Sequence, residues 1–207
     1  MVIKKKYLTL YQKNNRTMNT KELSDLIRNR RSIYPHEYLD KSIPKEVIIE
    51  ILENANYAPT YKKTEPWRFK VIQGKKRAVV GHFIANFYKA NSPSDKFNEN
   101  KFHKIIQKPQ DSAVVIAICM QRDPKERLDE WEEISAVAMA VQNMWLTCTT
   151  HNIGCYWGTP KASINANELF EMEEGEKCLG FFFMGYVENA NREQKRTSVL
   201  EKVIWVD

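Results

Sequence analysis

The chain has 207 residues, 43% hydrophobic and 28% charged, enough to bury a core without disulfide staples and too apolar for a disordered protein. Its formal net charge of +6 resembles a nucleic-acid signature, but Lys4, Lys5, Lys6, Lys13 and Arg16 supply most of it before Met18, with no acid among them. The rest is near neutral, which argues against a nucleic-acid or membrane partner; the basic arm alone supports only weak, salt-dependent binding.

Residues 1–17 are expected to be a basic, disordered tail, or to precede a working start near Met18; the apolar run at 7–11 is too short for a secretory signal. Residues 18–207 read as one domain, without internal repeats or a linker. Asn19 with Glu22 forms a capping-box pattern, and Leu23, Leu26 and Ile27 share one face. This predicts a helix to about Asn29 that delivers Arg30, Arg31 and Ser32 at its end. Pro35 forces an extended path. Pro44 suits the first turn of a second helix, whose buried stripe is Val47, Ile48, Ile51, Leu52 and Ala55 and which Pro59 ends. A polar loop at 60–66 leads to a strand at 69–72, closed by Gly74.

Val79, Val80, Phe83, Ile84, Phe87 and Tyr88 mark a third helix. Residues 91–110 have no firm periodicity and read as a mobile connection or lid, with Phe97 and Phe102 as its aromatic side chains. The apolar run at 113–118 predicts a strand buried on both faces. The stretch from Trp131 onward, with Ala136, Ala138, Met139, Ala140, Met144 and Leu146, is apolar nearly all round. It is too short to span a bilayer and interrupted by Gln142 and Asn143, so it reads as a buried core helix. Gly154 is expected to be its left-handed cap residue. Asn165 and Glu168 suggest a short helix at 166–172, the run at 179–187 a second central strand, and the apolar 203–206 a docked C-terminal strand, on this subunit or another. The whole is α+β, one sheet with helices on its faces.

Three segments could carry chemistry. Arg30, Arg31 and Ser32 place two guanidinium forks and a hydroxyl together, which suits a phosphate; equally, they could complement a helix dipole. The loop from Ala58 to Phe69 is stiffened by two prolines and anchored by Trp67 and Phe69. The turn Trp157-Gly158-Thr159-Pro160 follows the buried helix and could floor a flat ligand, or simply be core. Cys119, Cys148, Cys155 and Cys178 form no C-x-x-C pair, consistent with a reduced, cytoplasmic protein. His36, His82, His103 and His151 lack metal-site spacing, so no metal is expected. Rossmann, P-loop and nucleophile-elbow motifs are absent.

Arg30-Arg31-Ser32, the Ala58-Pro59 loop closing on Glu65-Pro66-Trp67-Arg68-Phe69, then Gly154-Cys155-Tyr156-Trp157 and Met184-Gly185-Tyr186 together resemble the nitroreductase family, in particular its short members, over residues 18–207. The resemblance implies a mostly antiparallel sheet around a buried helix, in a homodimer with FMN at the subunit interface. It implies NADPH or NADH as reductant and ping-pong hydride transfer through the flavin to nitroaromatic, quinone or similar small acceptors, with no dedicated catalytic side chain. By motif, Arg30, Arg31, Ser32 and Arg196 would hold the FMN phosphate and ribityl side, Tyr57 and Tyr61 would contact flavin, and Trp157, Gly158 and Thr159 would line the isoalloxazine. Tyr34 stands where many members carry Arg or Lys. The competing reading is an FMN-binding storage or sensing protein without significant turnover.

Overall fold

The computed structural model describes residues 19–190 and 194–206; the expected tail at 1–17 lies outside them. Among the described residues, five α-helices and four strands follow one another as α1 (Thr20–Asn29), α2 (Lys45–Asn56), β1 (Trp67–Ile72), α3 (Lys76–Ala90), α4 (Glu99–Asp111), β2 (Val114–Gln121), α5 (Glu130–Thr150), β3 (Ile153–Gly158) and β4 (Glu176–Tyr186), with short 3-10 turns between. The sheet runs β1-β2-β4-β3 and every pairing is antiparallel. β2 and the core of β4 are buried on both faces. One face carries α5 and α2, through Ile48, Ile51, Val137, Ala140 and Met144. The other carries α3, through Val80 and Ile84 against Phe181 and Phe183.

α1 begins as its sequence dictates. The Asn19 side chain accepts from Glu22 N at 2.9 Å and Glu22 returns a bond to Asn19 N at 3.0 Å, so two otherwise orphaned donors are satisfied. α5 is buried along most of its length, but it ends at Thr150. The left-handed residue is Asn152, at φ 54°, not Gly154, which lies inside β3. Asn152 can take that conformation because its side chain is tied down, donating to Val187 O at 2.7 Å. Gly154 serves packing instead: a Cβ there would come within 2.6 Å of Val187 Cγ1.

Other expectations shift. Residues 99–111, assigned to a mobile connection, form α4, with Asn98 capping Lys101 N at 2.9 Å. The charge-rich composition hid a helix whose apolar contacts come from few residues. The short helix expected at 166–172 is a 3-10 segment over Lys161–Glu168. The run at 203–206 makes no strand within this chain: Ile204, Trp205 and Val206 are 80–91% exposed.

An ionic knot ties β2 to the start of α5. The buried Glu133 carboxylate accepts from Arg122 Nη1 and from Asp123 N at 2.8 Å, while Arg122 Nη2 donates to Leu128 O at 3.1 Å. Asp123 in turn accepts from Arg127 Nε at 2.6 Å and Nη2 at 3.1 Å. Those bonds hold the Asp123 carboxyl at about 2, below the ordinary carboxylate value near ~3.9. A depressed folded-state value stabilises the fold above the unfolded pKa, and that contribution is lost as pH falls through the folded one. Acid unfolding should therefore steepen between about pH 4 and pH 2. Asp123→Asn should flatten that limb of a stability-against-pH curve measured by urea titration; an unchanged limb would show that the pair is not linked to folding.

Candidate functional site

The site is assembled where α1 ends. Arg30 caps α1, donating its N–H to Leu26 O, and turns the chain extended. Ser32 then joins the edge of β3 through a single parallel bridge to Cys155, with Ile33 N donating to Cys155 O at 3.1 Å. Ile33 is buried beneath, pinning the strand edge. α5 contributes Trp145, whose Nε1 donates to Arg31 O at 3.0 Å. The Arg30 guanidinium lies 4.7 Å above the centroid of the same ring, a cation–π contact that fixes its direction. The same ring meets Phe182 in a T-shaped contact, centroids 5.7 Å apart. A chain of contacts thus runs from the sheet core to one guanidinium.

Beyond it opens a cleft of about 510 Å³ lined by Ile27, Arg28, Asn29, Arg30, Gln142, Gln194 and Arg196. Among the described residues, no carboxylate lines it. Burial lowers the Arg30 pKa, and the positive charges of Arg196 and Arg31 push it the same way. A converging set of guanidinium and amide donors without an acidic counter-group is chemistry for an oxyanion, above all a phosphate.

The remaining sequence-predicted residues sit elsewhere. Tyr57 closes α2 and is 83% exposed, and Tyr61 opens a 3-10 turn at 64%. That turn is strained, with Lys62, Lys63 and Glu65 all at positive φ, the kind of cost found where a surface is shaped for a ligand. Neither tyrosine lines the arginine cleft. Trp157, next to last in β3, lies on the α5 side, its buried indole N–H without an acceptor among the described residues. Gly158 and Thr159 follow it, Thr159 exposed. Gly180, at φ 129°, lets the Gly158 carbonyl approach so closely that any Cβ would collide. Phe97 stacks on Tyr88 at 5.7 Å and meets Phe102 at 5.9 Å, so both aromatics join α4 to α3.

The sequence reading missed Trp145 and Gln142 as members of the site. The signal was present: Gln142 interrupts an otherwise apolar face, and Trp145 follows one turn later.

A sequence model of the nitroreductase family matches residues 27–186. The chain belongs to the nitroreductase family. Its match begins at Ile27, the first residue of the cleft wall, and ends with β4; Gln194 and Arg196 complete the cleft from beyond the matched stretch. Among individual nitroreductase relatives, YfhC of Bacillus subtilis (strain 168), provisionally named an NAD(P)H nitroreductase, is 28% identical over 184 residues, covering 87% of this chain and 92% of its own. The crystal structure of a nitroreductase-like family protein from Bacillus cereus superposes with a TM-score of 0.74 at 24% identity, over 94% of this chain and all of that one. The FMN-dependent nitroreductase NfnB from Mycobacterium smegmatis, solved in complex with NADPH, gives 0.69 at 14% identity, over 89% and 98%. The antiparallel sheet around a buried helix is thus the nitroreductase fold. No helix among the described residues is long and apolar enough to cross a membrane.

Proposed function

We propose that this chain is an FMN-dependent NAD(P)H oxidoreductase that passes reducing equivalents to small acceptors, nitroaromatics and quinones among them, in two successive half-reactions. The observation that carries the reading is the cleft into which Arg30 and Arg196 converge, with Arg31 beside them and no carboxylate among its described lining residues. Its donors match an FMN phosphate, and Gln142 and Gln194 add amides of the kind a ribityl hydroxyl bonds. Ser32, exposed at the β3 edge, supplies a hydroxyl on the same side. The bound flavin supplies hydride acceptance and donation at N5. Trp157, Gly158 and Thr159 form its floor, and Arg30, held by Trp145, orients its phosphate end. YfhC and NfnB are named for the same reductant and NfnB for the same cofactor.

In this reading the protein acts as a homodimer. Val199, Leu200, Ile204, Trp205 and Val206 are each at least 67% exposed, an apolar stretch that a second copy would cover. Tyr57 and Tyr61, exposed and outside the arginine cleft of their own chain, would reach flavin across that interface. The α3–α4 pair flanks a groove of about 350 Å³, lined by Phe87, Tyr88 and Lys101 rather than by Phe97 or Phe102, that runs to Pro160, just past the proposed floor. It forms the acceptor wall, where changes act on kcat/KM for the acceptor.

The test is the visible spectrum of purified protein, taken anaerobically before and after NADPH or NADH, together with sedimentation. A flavin band at about one FMN per chain that bleaches within a turnover and recovers with a quinone is the expected result. A yellow protein that neither reductant bleaches would instead identify a flavin-storage or sensing protein, and a stable FMN-loaded monomer would remove the shared-interface arrangement.

A further inference from the structure

Away from the arginine cleft, Cys119 and Cys178 stand opposite each other on β2 and β4. Both side chains belong to the sheet face that packs against Ala162 and Phe181. Opposed residues in an antiparallel pair have Cα atoms about 4.5–5.5 Å apart, inside the range of about 4.4–6.8 Å that a disulfide spans. Each thiol has the largest single influence on the other's ionisation, as expected of side chains facing each other across the ladder. The ladder is irregular at this point: a bulge falls between Ile118 and Cys119, which gives the pair local freedom to adjust. Cys119 is fully buried, whereas Cys178 is partly open to solvent. Solvent therefore reaches one member of the pair and not the other.

We propose that Cys119 and Cys178 are a redox-active dithiol, with Cys178 as the thiol that reacts with a hydroperoxide and Cys119 as the thiol that resolves it. The Cys178 thiolate attacks one peroxide oxygen; the O–O bond breaks, the alcohol or water leaves with a proton, and Cys178 becomes a sulfenic acid. The Cys119 sulfur then attacks the Cys178 sulfur; the S–O bond breaks, water leaves with the thiol proton, and a disulfide remains. Two thiols are oxidised by two electrons and one hydroperoxide is reduced.

The asymmetry of the pair fits this division of labour. The neighbouring Cys119 thiol holds Cys178 below the ordinary thiol range, and Cys178 together with burial pushes Cys119 up. The thiolate is the nucleophile, so the exposed member is also the more reactive one. Lys70 on β1 is ion-paired with Glu176 on β4 at 2.9 Å; its positive charge acts on Cys119, whereas the Glu176 carboxylate opposes ionisation of Cys178. A second thiol pair provides an internal control. Cys148 and Cys155 are also neighbours whose ionisation is linked, but both are buried between α5 and β3, away from solvent.

The experiment treats the folded, fully reduced protein with a few equivalents of cumene hydroperoxide, alkylates remaining thiols with N-ethylmaleimide in denaturant, and maps the peptides by mass spectrometry. The expected result is the loss of two thiols, a linked Cys119–Cys178 peptide that dithiothreitol reverses, and Cys148 and Cys155 alkylated throughout. Cys119→Ala should instead accumulate a Cys178 sulfenic acid that dimedone traps. Because the wild-type map is decisive by itself, a misfolded variant does not shelter the proposal. Retention of all four thiols, a Cys148–Cys155 link forming first, or Cys178 passing to sulfinic acid beside an unreacted Cys119 would each overturn it.

Discussion

Arg30→Ala is expected to weaken FMN binding by about 1.5–3 kcal/mol, the loss of one hydrogen bond to a charged group, which is roughly a tenfold to hundredfold rise in Kd. The magnitude follows from how Arg30 is held. Its guanidinium is stacked on Trp145 at 4.7 Å, so little side-chain entropy remains to be spent when the phosphate arrives. Arg30→Lys should recover part of the loss, because it keeps the charge but not the planar fork. Titration of apoprotein with FMN, followed by flavin fluorescence, reads the effect directly. If Arg30→Ala and Arg31→Ala both bind FMN as tightly as the parent, the phosphate does not lie in this cleft.

The largest stability effect should come from the ionic knot that seats α5. Glu133 is almost inaccessible and takes donors from Arg122 Nη1 and Asp123 N. Glu133→Ala strands the Arg122 guanidinium and should cost about 3–5 kcal/mol. Replacing the pair together, Arg122→Met with Glu133→Leu, should cost clearly less, because no charge is then left without its partner. Urea midpoints of the two single variants and the double variant complete the cycle. Additive losses would mean that the two side chains do not depend on each other.

How much of this was legible in the sequence differs from element to element. α1 and α2 could be read because local rules dictate their ends: Asn19 and Glu22 cap the first, and Pro44 precedes the second. β2 and β4 could be read because burial on both faces leaves a nearly continuous apolar run. α4 could not, since only part of its surface touches α3 and its lysines and glutamines face water. Gly154 misled for a physical reason. A glycine after a helix satisfies two different needs, a left-handed turn or a close contact, and the chain uses Asn152 for the first. Arg30, Arg31 and Ser32 were visible as a motif, and Arg196 through family resemblance. Trp145 and Gln142 were harder, because their roles depend on the face of α5 that meets the end of α1, a long-range relation that helical periodicity alone leaves open.

The arginine cleft draws on three stretches far apart along the chain, around 30, 142 and 194–196. No nascent fragment lacking the last of them holds the full set of donors. At the usual pace of synthesis, roughly ten to thirty seconds separate the appearance of Arg30 from that of Arg196. With the FMN phosphate placed there as proposed, loading of the cofactor should be a late event in the life of each molecule, after the sheet has closed. Until then the gathered guanidiniums repel one another, so the arriving dianion would both bind and relieve that repulsion. A cell short of riboflavin phosphate would accumulate a finished but strained chain, thermally weaker than the loaded one by the margin that ligand occupancy provides.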